Sequence, residues 1–422
     1  MSKNYLKSLN PFKIFSILKE RSSRFKKATN EEIPQLYSVN ALAKELHPDR
    51  QFVKIARVES FGEDCKRFTF IPCEEKGTNT LAYFAAGNYI SVFVDIDGRQ
   101  ISRAYSLSSS PDESLACTEG ENSVYKKGFY QIAVKLVKGG EVSDFILKNW
   151  KEDDIVEISA PEGSFNYVSL RDAKTVIGIA GGSGITPFLS FSRAILQKNE
   201  DFNLILLYGS RNFNQILFKD EFDQIAKMSS KIKIVYVLSD ENPLVPEEEL
   251  GGQNIVTFEN GFITADLIKK YAPEDEPYSV FVCGPQPMYD FLDGEFEKLH
   301  LIKKYIRKDM YGEIHDAKKQ KDYPGCDLEE VEITVKICGE STIVKGSPRD
   351  TILQTLEKNG VKVPARCRSG ECGWCHSNLI SGQVFVPEKM EYRRSADITY
   401  GAIHPCCTFP LSDLVIEIPL SK

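Results

Sequence analysis

Apolar and polar residues alternate between Phe52 and Val58, as expected of a strand with one buried face. Further strand-like runs follow at Tyr89–Ile96, Ser102–Ser108, Tyr130–Val137 and Ile155–Ser159, set between turn signals. One helical stretch, Ser143–Trp150, interrupts them. Many short strands with a single helix predict an antiparallel β-barrel over residues 51–172. The grammar changes at Ala173. The apolar run Thr175–Ala180 leads through a glycine turn into a helix ending near Gln197. Strands Asn203–Tyr208, Lys231–Leu238 and Ser279–Cys283 then alternate with helices near Phe218–Met228, Thr264–Tyr271 and Gln286–Leu299. Such alternation predicts an α/β domain over 173–312, a parallel sheet covered on both faces.

Residues 313–328 are charged, contain Tyr323-Pro324-Gly325 and read as a linker. Beyond it, Val331–Ile337 and Ser341–Val344 flank Cys338-Gly339 as a hairpin. Asp350 is expected to cap an amphipathic helix ending near Asn359-Gly360, and Leu414–Ile418 reads as a last strand after a cysteine-rich loop. Residues 329–422 thus form a third, small α+β domain. At the other end, residues 1–50 read as a basic extension. Phe12–Lys27 is predicted helical, with Ile14, Ile17, Leu18 and Phe25 on one face and Arg21 interrupting it. The segment suits docking on an anionic membrane or a partner; the alternatives are a solvated tail or a helix packed on its own protein.

A length of 422 residues fits about two to four domains. The net charge of −7 argues against a general nucleic-acid binder, but it is uneven: residues 1–30 hold eight Lys/Arg and one acid, a local +7. No run approaches the ~18 uninterrupted apolar residues of a transmembrane helix. No signal-peptide core is read at the N-terminus either, so the expected location is the cytoplasm. Eleven cysteines without an export signal then suggest metal or redox work before disulfides. Five histidines with no closely spaced pair leave little for a histidine-rich metal centre.

The strongest chemical signal is Cys367-Arg368-Ser369-Gly370-Glu371-Cys372-Gly373-Trp374-Cys375 with a distant downstream cysteine. C-x4-C-x2-C…C is the plant-type ligand spacing for a [2Fe–2S] cluster, and soft thiolates suit its irons. A zinc site would usually show two paired-cysteine arms, which the four-residue gap fits poorly. The spacing leaves Cys406 and Cys407 both open as the fourth ligand. The stretch resembles plant-type ferredoxins over about 90 residues. That family's fourth cysteine stands four residues before a proline leading into the final strand. The resemblance therefore implies a β-grasp domain whose ligands are Cys367, Cys372, Cys375 and Cys406, with Pro410 as that proline.

A second signal, Arg103-Ala104-Tyr105-Ser106, falls on a predicted barrel strand. Downstream lie Val134-Lys135, then Gly139-Gly140-Glu141-Val142-Ser143 at a helix start, where free amides and the helix dipole favour a phosphate. The arrangement resembles the ferredoxin–NADP reductase superfamily. The resemblance implies that Tyr105 packs on the isoalloxazine, Arg103 meets flavin phosphate and Ser106 approaches the reactive N5. The third signal, Gly181-Gly182-Ser183-Gly184-Ile185-Thr186-Pro187, follows a strand and opens a helix, giving close backbone approach to a pyrophosphate. It is not G-x-G-x-x-G. It matches the superfamily's pyridine-nucleotide loop. Ser210-Arg211 ends the next strand, where adenosine ribose would lie. Cys283-Gly284-Pro285 ends another, with Met288 opening the helix after it, and the family places that cysteine beside the nicotinamide C4. Near 307–312 the family closes on an acid, usually Glu; this chain has Asp309.

Together the motifs run in order from about 52 to 422. Their order resembles reductase components of multicomponent oxygenases and hybrid-cluster-protein reductases. The departures are the N-terminal extension and an insertion near Asp112–Lys127. The implied protein is an oxidoreductase using NADH (NADPH less so), FAD rather than FMN on family frequency, and a [2Fe–2S] cluster that reduces a partner protein. Ser106 and Cys283 flank the hydride. Two rivals are a direct small-molecule reductase working at the flavin, and the electron-input subunit of a larger membrane-docked complex.

Overall fold

The computed structural model describes residues 11–27, 38–115, 125–240, 245–246, 255–310 and 312–419. The chain divides into two compact units, residues 1–45 and 46–422. Helix α1 (Pro11–Lys26) lies in the first, and α2 (Ser38–Leu46) runs to its end. Phe15, Ile17 and Leu18 are exposed on α1, while the side chains of Ile14 and Phe25 lie outside the described residues. Among the described residues no helix is long and apolar enough to cross a membrane.

The second unit opens with β1 (Gln51–Phe61), in which Val53 and Ile55 are fully buried. Strands β2 (Cys65–Pro72), β3 (Tyr89–Ile96), β4 (Arg99–Ser106) and β5 (Tyr130–Lys135), helix α3 (Glu141–Asn149) and β6 (Ile155–Ile158) follow. They make one antiparallel sheet in the order β4-β3-β6-β1-β2-β5. A bridge from Leu107 to Ile132 joins its two edges and closes it as a barrel. The sequence reading missed β2. Phe68, Thr69 and Phe70 are buried in succession, so both faces of β2 are covered there and no alternation marks it. Residues 116–124 of the expected insertion lie outside the described residues.

Next come β7 (Thr175–Gly181), α4 (Thr186–Leu196), β8 (Asn203–Ser210), α5 (Lys219–Met228), β9 (Ile232–Leu238) and β10 (Val256–Asn260). After them run α6 (Ala265–Tyr271), β11 (Tyr278–Cys283), α7 (Gln286–Leu299) and β12 (Ile306–Lys308). All six strands pair in parallel in the order β10-β9-β8-β7-β11-β12. The order reverses between β7 and β11. In such sheets ligands bind outside the carboxyl ends of the strands at this point, and here those ends are Gly181 and Cys283.

The last part comprises β13 (Val331–Ile337), β14 (Glu340–Gly346), α8 (Ile352–Lys358), β15 (Ser377–Ser381), β16 (Val384–Phe385), α9 (Ser395–Thr399), β17 (Ala402–Ile403), β18 (Phe409–Pro410) and β19 (Leu414–Ile418). Its mixed sheet runs β14-β13-β19-β15-β17, with β13 and β19 parallel at its heart. One expectation needs correction: Thr351, not Asp350, caps α8. Its hydroxyl accepts from the Gln354 amide at 3.2 Å and Gln354 Oε1 accepts from the Thr351 N–H at 2.9 Å, while Asp350 pairs with Lys358. The reciprocal pair satisfies two orphan amides, which one carboxylate could not.

Candidate functional site

A cleft of about 700 Å³ lies where loops of all three sheets meet. From the barrel, β4 contributes Arg103, Ala104, Tyr105 and Ser106, and β5 contributes Lys135. The start of α3 adds Gly140, Glu141, Val142 and Ser143. The Ser143 hydroxyl is already committed, accepting from the Val137 N–H at 3.1 Å and donating to the Gly140 carbonyl at 3.2 Å. Ser183 and Thr186 come from the loop after β7, and Cys367, Arg368, Ser369 and Glu371 come from the cysteine-rich loop. Val134, Ile185 and Pro187 are buried instead, which leaves their backbone alone for any ligand. Arg103 is not an open cation: its guanidinium donates to Glu313 at 3.0 Å.

The glycines after β7 and β11 are explained by packing. A Cβ on Gly184 would stand 2.1 Å from the Cys283 carbonyl oxygen, and one on Gly181 or Gly284 would stand 2.6 or 2.5 Å from Met288 Sδ. These strand ends therefore interlock with the first turn of α7. Pro285 sits immediately before that helix, and Gly182, at φ 55°, turns the chain into the 3-10 segment Gly182–Ile185 that enters α4. Ser210 and Arg211 lie farther along, at the end of β8.

Asp309 joins two of the predicted residues. Its Oδ2 accepts from the Ser106 hydroxyl at 3.2 Å and from the Cys283 thiol at 3.5 Å. Tyr289, which sequence reasoning missed, donates to the Asp309 carbonyl at 2.6 Å and accepts from the Gly284 N–H at 3.1 Å. Burial, then the nearby Glu371 charge, pushes the Asp309 carboxyl up to about 7. Burial likewise pushes the Cys283 thiol well up, so it stays protonated. Tyr311, in the same closing segment, lies outside the described residues.

The cysteines converge. The Cys375 thiol donates to Cys406 Sγ at 3.4 Å, and the neighbouring Cys372 and Cys406 thiols hold Cys367 well below the usual thiol range. The Ser369 and Cys372 amides also donate to Cys367 Sγ, each at 3.4 Å. Among the described residues no three His, Cys, Asp or Glu side chains surround a single ion position. A two-iron cluster held by four cysteines needs no such trio, so the converging thiols and inward amides fit it. The Cys407 thiol faces the His404 carbonyl at 3.5 Å and the Met390 carbonyl at 3.9 Å. Buried His404, also missed from sequence, donates from Nδ1 to the Gly370 carbonyl at 2.7 Å and pins the loop. Against the barrel, the loop is held by Arg366, which stacks 3.4 Å over Trp374, pairs with Glu162 and donates to the Asp49 carbonyl at 3.1 Å. Ser164 donates to Glu371 at 2.6 Å.

Comparison with known proteins matches three stretches of the chain to three families. Residues 53–167 match the oxidoreductase FAD-binding domain family, 179–293 the oxidoreductase NAD-binding domain family, and 335–411 the 2Fe-2S iron-sulfur cluster binding domain family. The glycine betaine monooxygenase reductase subunit of Pseudomonas aeruginosa is 25% identical over 87% of this chain and 95% of its own. The carnitine monooxygenase reductase subunit of Escherichia coli is 27% identical, covering 79% of this chain and 87% of its own. Among solved structures, phthalate dioxygenase reductase aligns at a TM-score of 0.58 and 24% identity, over 87% of this chain and 98% of that one.

Proposed function

This chain belongs to the ferredoxin–NADP reductase superfamily, as an FAD- and [2Fe–2S]-dependent reductase, and from that premise we propose that it moves electrons from NADH to a separate oxygenase protein. One observation carries the reading: Cys367 lines the same cleft as Arg103, Tyr105 and Ser106, so flavin and cluster sites share a wall. A flavin bound there converts a two-electron hydride into single electrons, and a cluster passes them on singly.

The protein's part is placement. Arg103 and the amides of Gly140–Ser143 would hold the flavin's phosphates, and Tyr105 would pack on its ring. The Gly181–Pro187 loop would take the nucleotide's pyrophosphate, Arg211 its ribose end, and Cys283 would border the nicotinamide. Asp309 fixes Ser106 and Cys283 against each other and holds a proton near neutral pH. Cys367, Cys372, Cys375 and Cys406 would hold the irons. Exposed Phe15, Ile17 and Leu18 on a basic helix support seating the first unit on an anionic membrane.

Cysteine replacement tests the scheme. Cys372→Ser and Cys406→Ser should each abolish the cluster's visible absorbance and cytochrome c reduction, while NADH still bleaches the flavin. Cys407→Ser should keep the cluster. Flavin reduction collapsing in a folded Cys372→Ser protein would defeat the modular scheme, and cluster loss confined to Cys407→Ser would reverse the ligand assignment.

A further inference from the structure

Four charged side chains form a row beneath the cluster loop, closed from solvent at Glu313 and Arg368, and the electron path above assigns no role to three of them. Glu313, 6% exposed at its side chain, follows the nucleotide-binding sheet in sequence. Its Oε2 accepts from Arg103 Nη2 on β4 at 3.0 Å. Its Oε1 accepts from Arg368, through Nε at 2.5 Å and also through Nη2. Arg368, 1% exposed, then meets Glu357 of α8 through two bonds of 2.6 Å. The row alternates in sign from barrel to cluster loop. Glu313 is the carboxylate shared by the two.

Arg368 directly follows the ligand Cys367, and its φ of +60° lies in the left-handed region. A non-glycine residue persists there only where its surroundings dictate it. A forked guanidinium gripped by two buried carboxylates supplies that constraint, since a desolvated charge without its partner is strongly unfavourable. The loop's other bonds to the barrel are Arg366 with Glu162 and with the Asp49 carbonyl, and Ser164 with Glu371, the last pair exposed. Arg366 precedes Cys367, whereas the row grips Arg368, on the ligand's other side.

Resting on the reading that this cleft holds the flavin and this loop the cluster, we propose that Glu313 is a positioning residue for flavin-to-cluster electron transfer. By bridging Arg103 and Arg368 it sets the separation of the two sites without touching the hydride step.

Anaerobic stopped-flow on the holoenzyme tests this, following flavin bleaching and cluster reduction separately after mixing with NADH. In Glu313→Gln, flavin bleaching should stay within twofold of wild type while cluster reduction slows at least tenfold. Amide hydrogen exchange over residues 366–372 should quicken in the same sample. Glu313→Asp, which keeps the charge but withdraws it by one methylene, should slow cluster reduction several-fold with both cofactors retained, and serves if Glu313→Gln fails to fold. Wild-type cluster reduction in either variant, or flavin bleaching slowed as much as cluster reduction, would overturn the proposal. A wild-type protein that binds neither flavin nor cluster would instead overturn the reading beneath it.

Discussion

Asp309 is a buried carboxyl that changes charge within the working pH range. Its folded pKa of about 7 lies above the ordinary Asp value near 4. Between those values the folded protein keeps a proton that the unfolded chain gives up. The group's contribution is therefore complete below about pH 4, fades as pH rises, and is gone above about 7. Asp309→Asn keeps hydrogen-bonding capacity without the titration. Across pH 5 to 8 the wild-type thermal midpoint should fall by a few degrees relative to this variant; parallel curves would count against it. This constellation was only half legible in the sequence. Ser106 and Cys283 stood out through neighbours in their own motifs, whereas Tyr289 and His404 work through contacts that no local pattern encodes. The cluster loop was the opposite case, because ligand spacing is itself a local property.

Between elements, the turns after β8 and β9 adjoin at the proposed ribose end of the nucleotide site. The Ser239 amide donates to the Ser210 carbonyl at 3.0 Å and the Asp240 amide to the Arg211 carbonyl at 2.9 Å, so the two turns run side by side. Asn212 Nδ2 donates to Asp240 Oδ2 at 3.2 Å and keeps that carboxylate there. A 2′-phosphate dianion would meet one cation, Arg211, and one like charge, while a ribose hydroxyl suits both. The expected preference for NADH is ~10–100-fold in kcat/KM. Steady-state rates with both nucleotides decide it, and equal or better use of NADPH would sink the argument. Elements bounded by clear turns were readable to within a few residues: Tyr89–Ile96 and Gln286–Leu299 form as the pattern predicts. Among those that escaped were β2, buried along Phe68–Phe70, and β10, which offers no fully buried residue to set a period.

At the scale of the whole molecule, the order of motifs along the chain announced the architecture, because the barrel and the parallel sheet are each built from consecutive strands. How the parts meet was not legible: Glu313, Glu162 and Ser164 look like ordinary surface residues until the fold brings them to Arg368, Arg366 and Glu371. Residues 46–422 are a compact unit apart from residues 1–45. Deleting 1–45 should therefore leave NADH-driven cytochrome c reduction within about twofold while abolishing co-sedimentation with phosphatidylserine vesicles at low salt. Loss of reductase activity, or undiminished vesicle binding, would contradict it. The consecutive order of the sheets also sets a timetable on the ribosome. The barrel's last strand ends at Ile158 and the parallel sheet's at Lys308, but Cys406 emerges 98 residues later, roughly 5–20 s at ordinary elongation rates. Two walls of the cleft are standing before the fourth thiol exists. Flavin loading can thus precede iron insertion, and a cell short of iron would accumulate a yellow, electron-accepting form of this protein that lacks its one-electron relay.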